Sequence, residues 1–147
     1  VKDHPVGHDC SSCFICGSKI PPQPKSCYVG APAIFALELE CQHINEAFGH
    51  YGCYLVGSSL ERADWRDVDV RFIMDDEEFA KLFPNAYETA WEQDTRWLLI
   101  NTSISEHLSK VTGLPIDFQI QPQTHANLRH DKPRSSLGNT IKKKEQK

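Results

Sequence analysis

Two aspartates bracket one valine in Asp67-Val68-Asp69, eight residues after the segment Gly57-Ser58-Ser59. The acids open an apolar run, and strand alternation puts both carboxylates on one face. Acids so placed, with no lysine nearby to pair with, repel each other and are most comfortable sharing a divalent cation. A small polar loop beside a metal-binding acid pair is the equipment for phosphoryl or nucleotidyl transfer. A third acid, Asp117, interrupts a later segment in which Ile116, Phe118 and Ile120 alternate with polar residues. If the two strands are neighbours, Asp67, Asp69 and Asp117 converge on one polar patch.

A second constellation lies near the start of the chain. Cys10, Cys13 and Cys16 follow one another at two-residue gaps, Gly17 comes next, and Cys27 lies further on. Thiolates at this spacing fit a tetrahedral, structural Zn2+ knuckle. Cys13, Cys16 and Cys27 form the core set, with Cys10 or one of the upstream His4 and His8 as fourth ligand. Free thiols and disulfides are the other readings. Cys41 and Cys53 lie on apolar elements and read as small buried hydrophobes.

The elements that must position these groups follow from periodicity. Residues 1–30 have none and read as a cysteine-rich, zinc-ordered extension. From Pro32, Ile34, Leu37, Cys41, Ile44 and Phe48 recur at helical spacing, and Gly49 stops the helix. Residues 53–57 form a short strand, 58–66 a polar loop or helical turn, and 67–74 a strand. On that strand Asp67, Asp69 and Arg71 share one face, and Val68, Val70, Phe72 and Met74 the other. A short acidic-fronted helix starts at Asp75 and stops at Pro84. Asn85 caps an expected long helix over 86–111 with a stripe of Trp97, Ile100, Ile104, Leu108 and Val111, ended by Gly113. A third strand spans 115–121. Residues 123–147 read as an irregular to disordered basic tail, leaving 31–122 as the folded domain. The expected fold class is α/β (α+β), a small mixed sheet packed on helices.

Composition narrows the function. The chain has 147 residues, 39% of them apolar, which suits one domain. No apolar run reaches membrane-spanning length and no signal peptide is visible, so a cytoplasmic protein without membrane partners is expected. From Arg129 onward seven Lys and Arg stand against two acids, while the body before it carries nine basic and eighteen acidic residues. An acidic body concentrates cations and does not suit duplex DNA; the tail suits something anionic. No Gly-x-Ser-x-Gly elbow surrounds Ser58 or Ser59, which excludes a serine hydrolase of that type. His43 and His50 flank a helix end, His107 faces solvent, and His125 and His130 follow the third strand within reach of the cleft. Trp65 precedes the acids in the loop.

Gly-Ser, a spacer, Asp-x-Asp among apolar residues and a later apolar-Asp-apolar strand together resemble the DNA polymerase beta-like nucleotidyltransferase superfamily, in its minimal form. The resemblance covers residues 31–121. It implies that Gly57, Ser58 and Ser59 bind a nucleotide phosphate, and that Asp67, Asp69 and Asp117 hold two Mg2+ ions and activate the attacking hydroxyl. Arg62 and Arg66, between the motifs, are candidate triphosphate contacts from position and charge. The implied reaction moves a nucleoside monophosphate from a nucleoside triphosphate (NTP), such as ATP, to a hydroxyl of a protein, an RNA or a small molecule. The alternative is a catalytically inactive module of the same fold that binds a protein or nucleic-acid partner.

Overall fold

A computed structural model describes residues 27–86 and 90–139. Cys10, Cys13 and Cys16, with His4 and His8, lie outside the described residues. The described residues have a mixed α/β fold: a four-stranded sheet with five α-helices. Strands β1 (Gly52–Val56), β2 (Val68–Met74), β3 (Ile116–Pro122) and β4 (Ser135–Leu137) lie in the order β3-β2-β1-β4. β1 runs antiparallel to both β2 and β4, and β2 runs parallel to β3.

Helices α1 (Ala33–Ala47) and α4 (Thr95–Thr112) pack on one face of the sheet. Leu37 and Cys41 from α1 and Trp97 and Leu108 from α4 meet Cys53, Leu55, Val70, Phe72, Phe118 and Ile120 there. Cys41 and Cys53 are both fully buried and reduced, as the apolar setting demands. A hydrogen bond with the Cys41 thiol, and then burial, push the Cys53 thiol far up, so it stays protonated. Asn45 stitches this layer together. Its Oδ1 accepts from the Cys53 amide at 2.9 Å, and its Nδ2 donates to the Leu137 carbonyl at 3.1 Å.

β3 is an edge strand, and α4 covers its free side. Asn101 Oδ1 accepts from the Ile120 amide at 2.7 Å, Ser105 Oγ from the Phe118 amide at 2.9 Å, and Ser109 Oγ from the Ile116 amide at 3.0 Å. These three polar residues stand four apart, on one stripe of the helix. They satisfy the outward amides of an otherwise open edge. Trp97 adds its indole N–H to the Ile120 carbonyl at 2.9 Å.

Three expectations about the elements change. The long helix begins at Thr95, not near residue 86. Asp94 is the cap: its backbone is extended and its side chain accepts from the Trp97 amide at 2.9 Å, satisfying a first-turn donor that Asn85 does not reach. Trp91 sits instead in a 3-10 turn (Trp91–Gln93), edge-on to Trp97 and Phe79. Val111, expected inside, is 45% exposed, because the inner stripe runs through Asn101 and Leu108.

The chain also does not lose order at Pro122. Helix α5 (Gln123–Arg129) follows at once, and the segment then crosses to β4, which closes the sheet beside β1. Polar composition hid both elements. α5 buries one small residue, Ala126, and β4 one large one, Leu137. Gly138, at φ +72°, lets the chain leave β4 against α1; a β-carbon there would lie 2.4 Å from the Gln42 amide nitrogen. The remaining elements, α2 (Ser58–Glu61) and α3 (Asp76–Leu82), fall within a few residues of expectation. No described helix is long and apolar enough to cross a membrane.

Candidate functional site

The sheet face opposite α1 and α4 is polar. Register aligns Asp69 with Val56 on one side and with Asp117 on the other, and Arg71 with Tyr54 and Gln119. Because β2 and β3 are parallel and in register, Asp69 and Asp117 are directly opposed neighbours. Asp67 lies one residue before β2 and is exposed. Two of the three expected acids therefore meet inside the sheet, and the third stands at its mouth. All three offer hard carboxylate oxygens, the donor type that Mg2+ takes. Among the described residues no three His, Cys, Asp or Glu side chains are gathered tightly enough to chelate one ion in this side-chain arrangement.

Arg71 explains that arrangement. Its side chain is 9% exposed and its guanidinium lies between the acids. One terminal nitrogen is 2.9 Å from Asp117 Oδ2 and 3.5 Å from Asp69 Oδ1. The other donates to the Asp117 carbonyl at 2.8 Å and the Val70 carbonyl at 3.1 Å. Its Nε is buried with no partner among the described residues. Alternation along β2 already places Arg71 on the acid face; what the sequence does not reveal is that the guanidinium folds back onto both carboxylates.

Asp69 holds its proton more tightly than an ordinary aspartate. Burial raises its affinity most, Arg71 opposes this, and the charges of Asp117 and Asp67 add to it, as does a hydrogen bond with Asp117. Separately, three carboxylates stand here against the one guanidinium of Arg71, and a surplus of negative charge is the electrostatic condition that favours a bound cation.

Gly57 closes the site from the β1 side. It ends β1 at φ +78°, ψ −155°, a conformation that suits glycine. A β-carbon there would lie 2.5 Å from Asp69 Oδ2. Gly57 and Asp69 are thus close neighbours, although they lie twelve positions apart in the chain. Ser58 is half-buried at the start of α2. Ser59 is fully buried, its Oγ has no partner among the described residues, and its carbonyl accepts from the Tyr28 amide at 2.7 Å. Of the two serines, Ser58 is the one open to a ligand from solvent.

Arg62 and Arg66 are both exposed, and Arg62 sits 3.6 Å from Asp64. Trp65 is packed against the core and donates its indole N–H to the Tyr28 carbonyl at 3.1 Å. Cys27 is half-buried beside this strap and its thiol points to the Val29 carbonyl at 3.8 Å. His125 stands edge-on to Trp91, 5.0 Å between ring centres. His130, on the segment between α5 and β4, comes back over the polar face. Burial lowers its proton affinity, followed by the charges of Arg71, Arg134, His125 and Arg129. The basic residues around it were invisible as site components, because a polar stretch after the last strong strand carries no periodic signal.

No family model, curated protein or solved structure matches this chain.

Proposed function

We propose that this chain is a Mg2+-dependent nucleotidyltransferase, moving a nucleoside monophosphate from an NTP to a hydroxyl acceptor. One observation carries the reading: Asp69 and Asp117 stand opposed on adjacent parallel strands, against the Gly57 turn. Asp67, Asp69 and Asp117 would hold the ions, which when bound neutralise triphosphate charge and lower the pKa of the attacking hydroxyl. Gly57, with no side chain, lets the donor's phosphates approach the backbone, and Ser58 donates a hydrogen bond to a phosphate oxygen. The acceptor oxygen attacks the α-phosphorus, the bond to pyrophosphate breaks, and Asp117 takes the proton. Arg71 holds Asp117 in place from the side away from solvent.

The test is transfer of label from each α-labelled triphosphate in Mg2+ with a cell lysate, comparing the parent with Asp69→Asn. Label on a macromolecule or small molecule, lost in the variant, supports the reading. Absence of both Mg2+-dependent nucleotide binding and transfer in the parent removes it.

A second reading has its own support. Arg71 pairs with both sheet acids, so the fold balances part of its buried charge without a metal. On that reading the chain is an inactive nucleotidyltransferase-fold module that binds a protein or nucleic-acid partner. A melting temperature unmoved by Mg2+ and nucleotide together would favour it.

The cysteine spacing supports a separate proposal, a structural Zn2+ held by Cys10, Cys13, Cys16 and Cys27. Only Cys27 is among the described residues. Purified protein is expected to carry about one zinc per chain; none found under reducing, chelator-free conditions would remove it.

A further inference from the structure

Beside the acids, a crevice of about 660 Å3 opens between the Gly57–Glu61 turn and the segment Arg129–Ser135. We propose that this crevice is a phosphate-binding site, built by Arg129, His130 and Arg134 together with the exposed backbone of Gly57.

The whole chain is net −4, yet this crevice is lined by Arg129, Lys132 and Arg134. Lys132 is spent on Glu61, 3.3 Å away across the crevice. Asp131 also lines it and offsets one further charge. The surplus is concentrated at His130, which lies among Arg71, Arg129 and Arg134. Burial is the first reason this ring resists a proton, and the charges of Arg71, Arg134, His125 and Arg129 add to it in the same direction.

Geometry agrees with charge. Arg134 is held rather than free: its guanidinium lies 5.6 Å above the Tyr54 ring and donates to Asn127 Oδ1 at 2.8 Å. A planar fork fixed in this way loses little freedom when it takes an oxyanion. His130 Nε2 is buried and has no hydrogen-bond partner among the described residues. His130 lines the crevice, and with the ring proton on Nε2 it would donate to a phosphate oxygen that reaches it. Gly57 is exposed and lines the wall, so its backbone is open to a ligand in the crevice.

The link to nucleotidyl transfer rests on the function proposed above; the anion site itself does not. Gly57 touches Asp69 on one side and the crevice on the other. A phosphate bound there belongs either to the donor's triphosphate tail or to a phosphomonoester on the acceptor.

The experiment is calorimetric titration of the full chain with inorganic tripolyphosphate and, separately, with ribose 5-phosphate, in chelator and low salt. The wild type is expected to bind at least one of them. Binding should weaken roughly tenfold in the double variant Arg129→Gln/Arg134→Gln, and severalfold with added salt. Arg129→Gln alone, at an exposed residue, guards against misfolding and should still weaken binding about threefold. Tripolyphosphate binding that ATP displaces assigns the site to the donor; binding of ribose 5-phosphate alone assigns it to the acceptor. No binding of either ligand at millimolar concentration, or equal binding by the folded double variant, overturns the proposal. Asp69→Asn separates the two readings. It should abolish transfer without weakening metal-free phosphate binding, since it removes a negative charge beside the anion site. A parent that binds phosphate but never transfers label removes the transfer reading and keeps this site.

Discussion

Gly57 backs directly onto Asp69: a single added methyl on the glycine would come 2.5 Å from the carboxylate oxygen of the acid. The turn proposed to hold a phosphate is also the wall that meets Asp69.

Gly57→Ala therefore meets two penalties, a positive-φ backbone and a collision with Asp69. We expect a loss of roughly 1–3 kcal/mol of stability, together with loss of Mg2+-dependent nucleotide binding. Urea unfolding checks the first; a midpoint equal to that of the parent would mean that the turn relaxes freely.

Asp69→Asn should act in opposite directions on stability and function. Asp69 has a raised folded pKa, so the folded state takes up its proton more readily than the unfolded chain does. Its charge therefore costs stability above the folded pKa, and the cost fades as pH falls through that value toward the unfolded one. At neutral pH the amide removes the cost, and the metal-free protein is expected to gain roughly 1 kcal/mol. The gain should vanish at pH values below the ordinary carboxylate pKa. Melting curves at neutral and acid pH measure both, and a destabilised variant at neutral pH would show that the pairing with Arg71 outweighs repulsion.

Arg71→Gln removes the guanidinium that lies between the sheet acids. With Asp69 and Asp117 left to repel each other, we expect roughly 1–3 kcal/mol of destabilisation at neutral pH without metal. Mg2+ should restore part of it, because an ion can take over the guanidinium's charge. A variant that Mg2+ does not stabilise more than it stabilises the parent would argue against a cation site at these acids.

Asn101→Ala strips the Ile120 amide of its acceptor at the sheet edge. The expected cost is roughly 1–3 kcal/mol, with nucleotide binding unchanged, since Asn101 faces the layer opposite the acids. Exposed edge amides also invite pairing between chains, so the variant should associate more readily on warming. Light scattering follows this, and a monomeric, fully stable variant would show that water replaces the side chain without loss.

Much of the architecture is written locally. The alternation over Val68–Met74 and Ile116–Pro122 needs only a strand period and an apolar face, and both strands form. Gly113 ends α4 in the left-handed conformation expected of it, because only local backbone geometry is involved. The start of α4 was less legible: Asn85 and Asp94 are both capable caps, and the choice depends on how Trp91 packs against Phe79 and Trp97. The stripe Asn101, Ser105 and Ser109 reads as a polar helix face until β3 is laid along it.

The sequence alone determined which residues could bear charge together on one strand face, Asp69 with Arg71, because side-chain period within a strand is a property of the backbone. Only the tertiary structure decided that β3 pairs with β2 in the register that opposes Asp117 to Asp69, that Arg71 bridges them, and that the segment from Arg129 to Arg134 returns over the same face. Those relations join residues tens of positions apart. They depend on strand order and on loop paths, which local propensity and spacing do not encode.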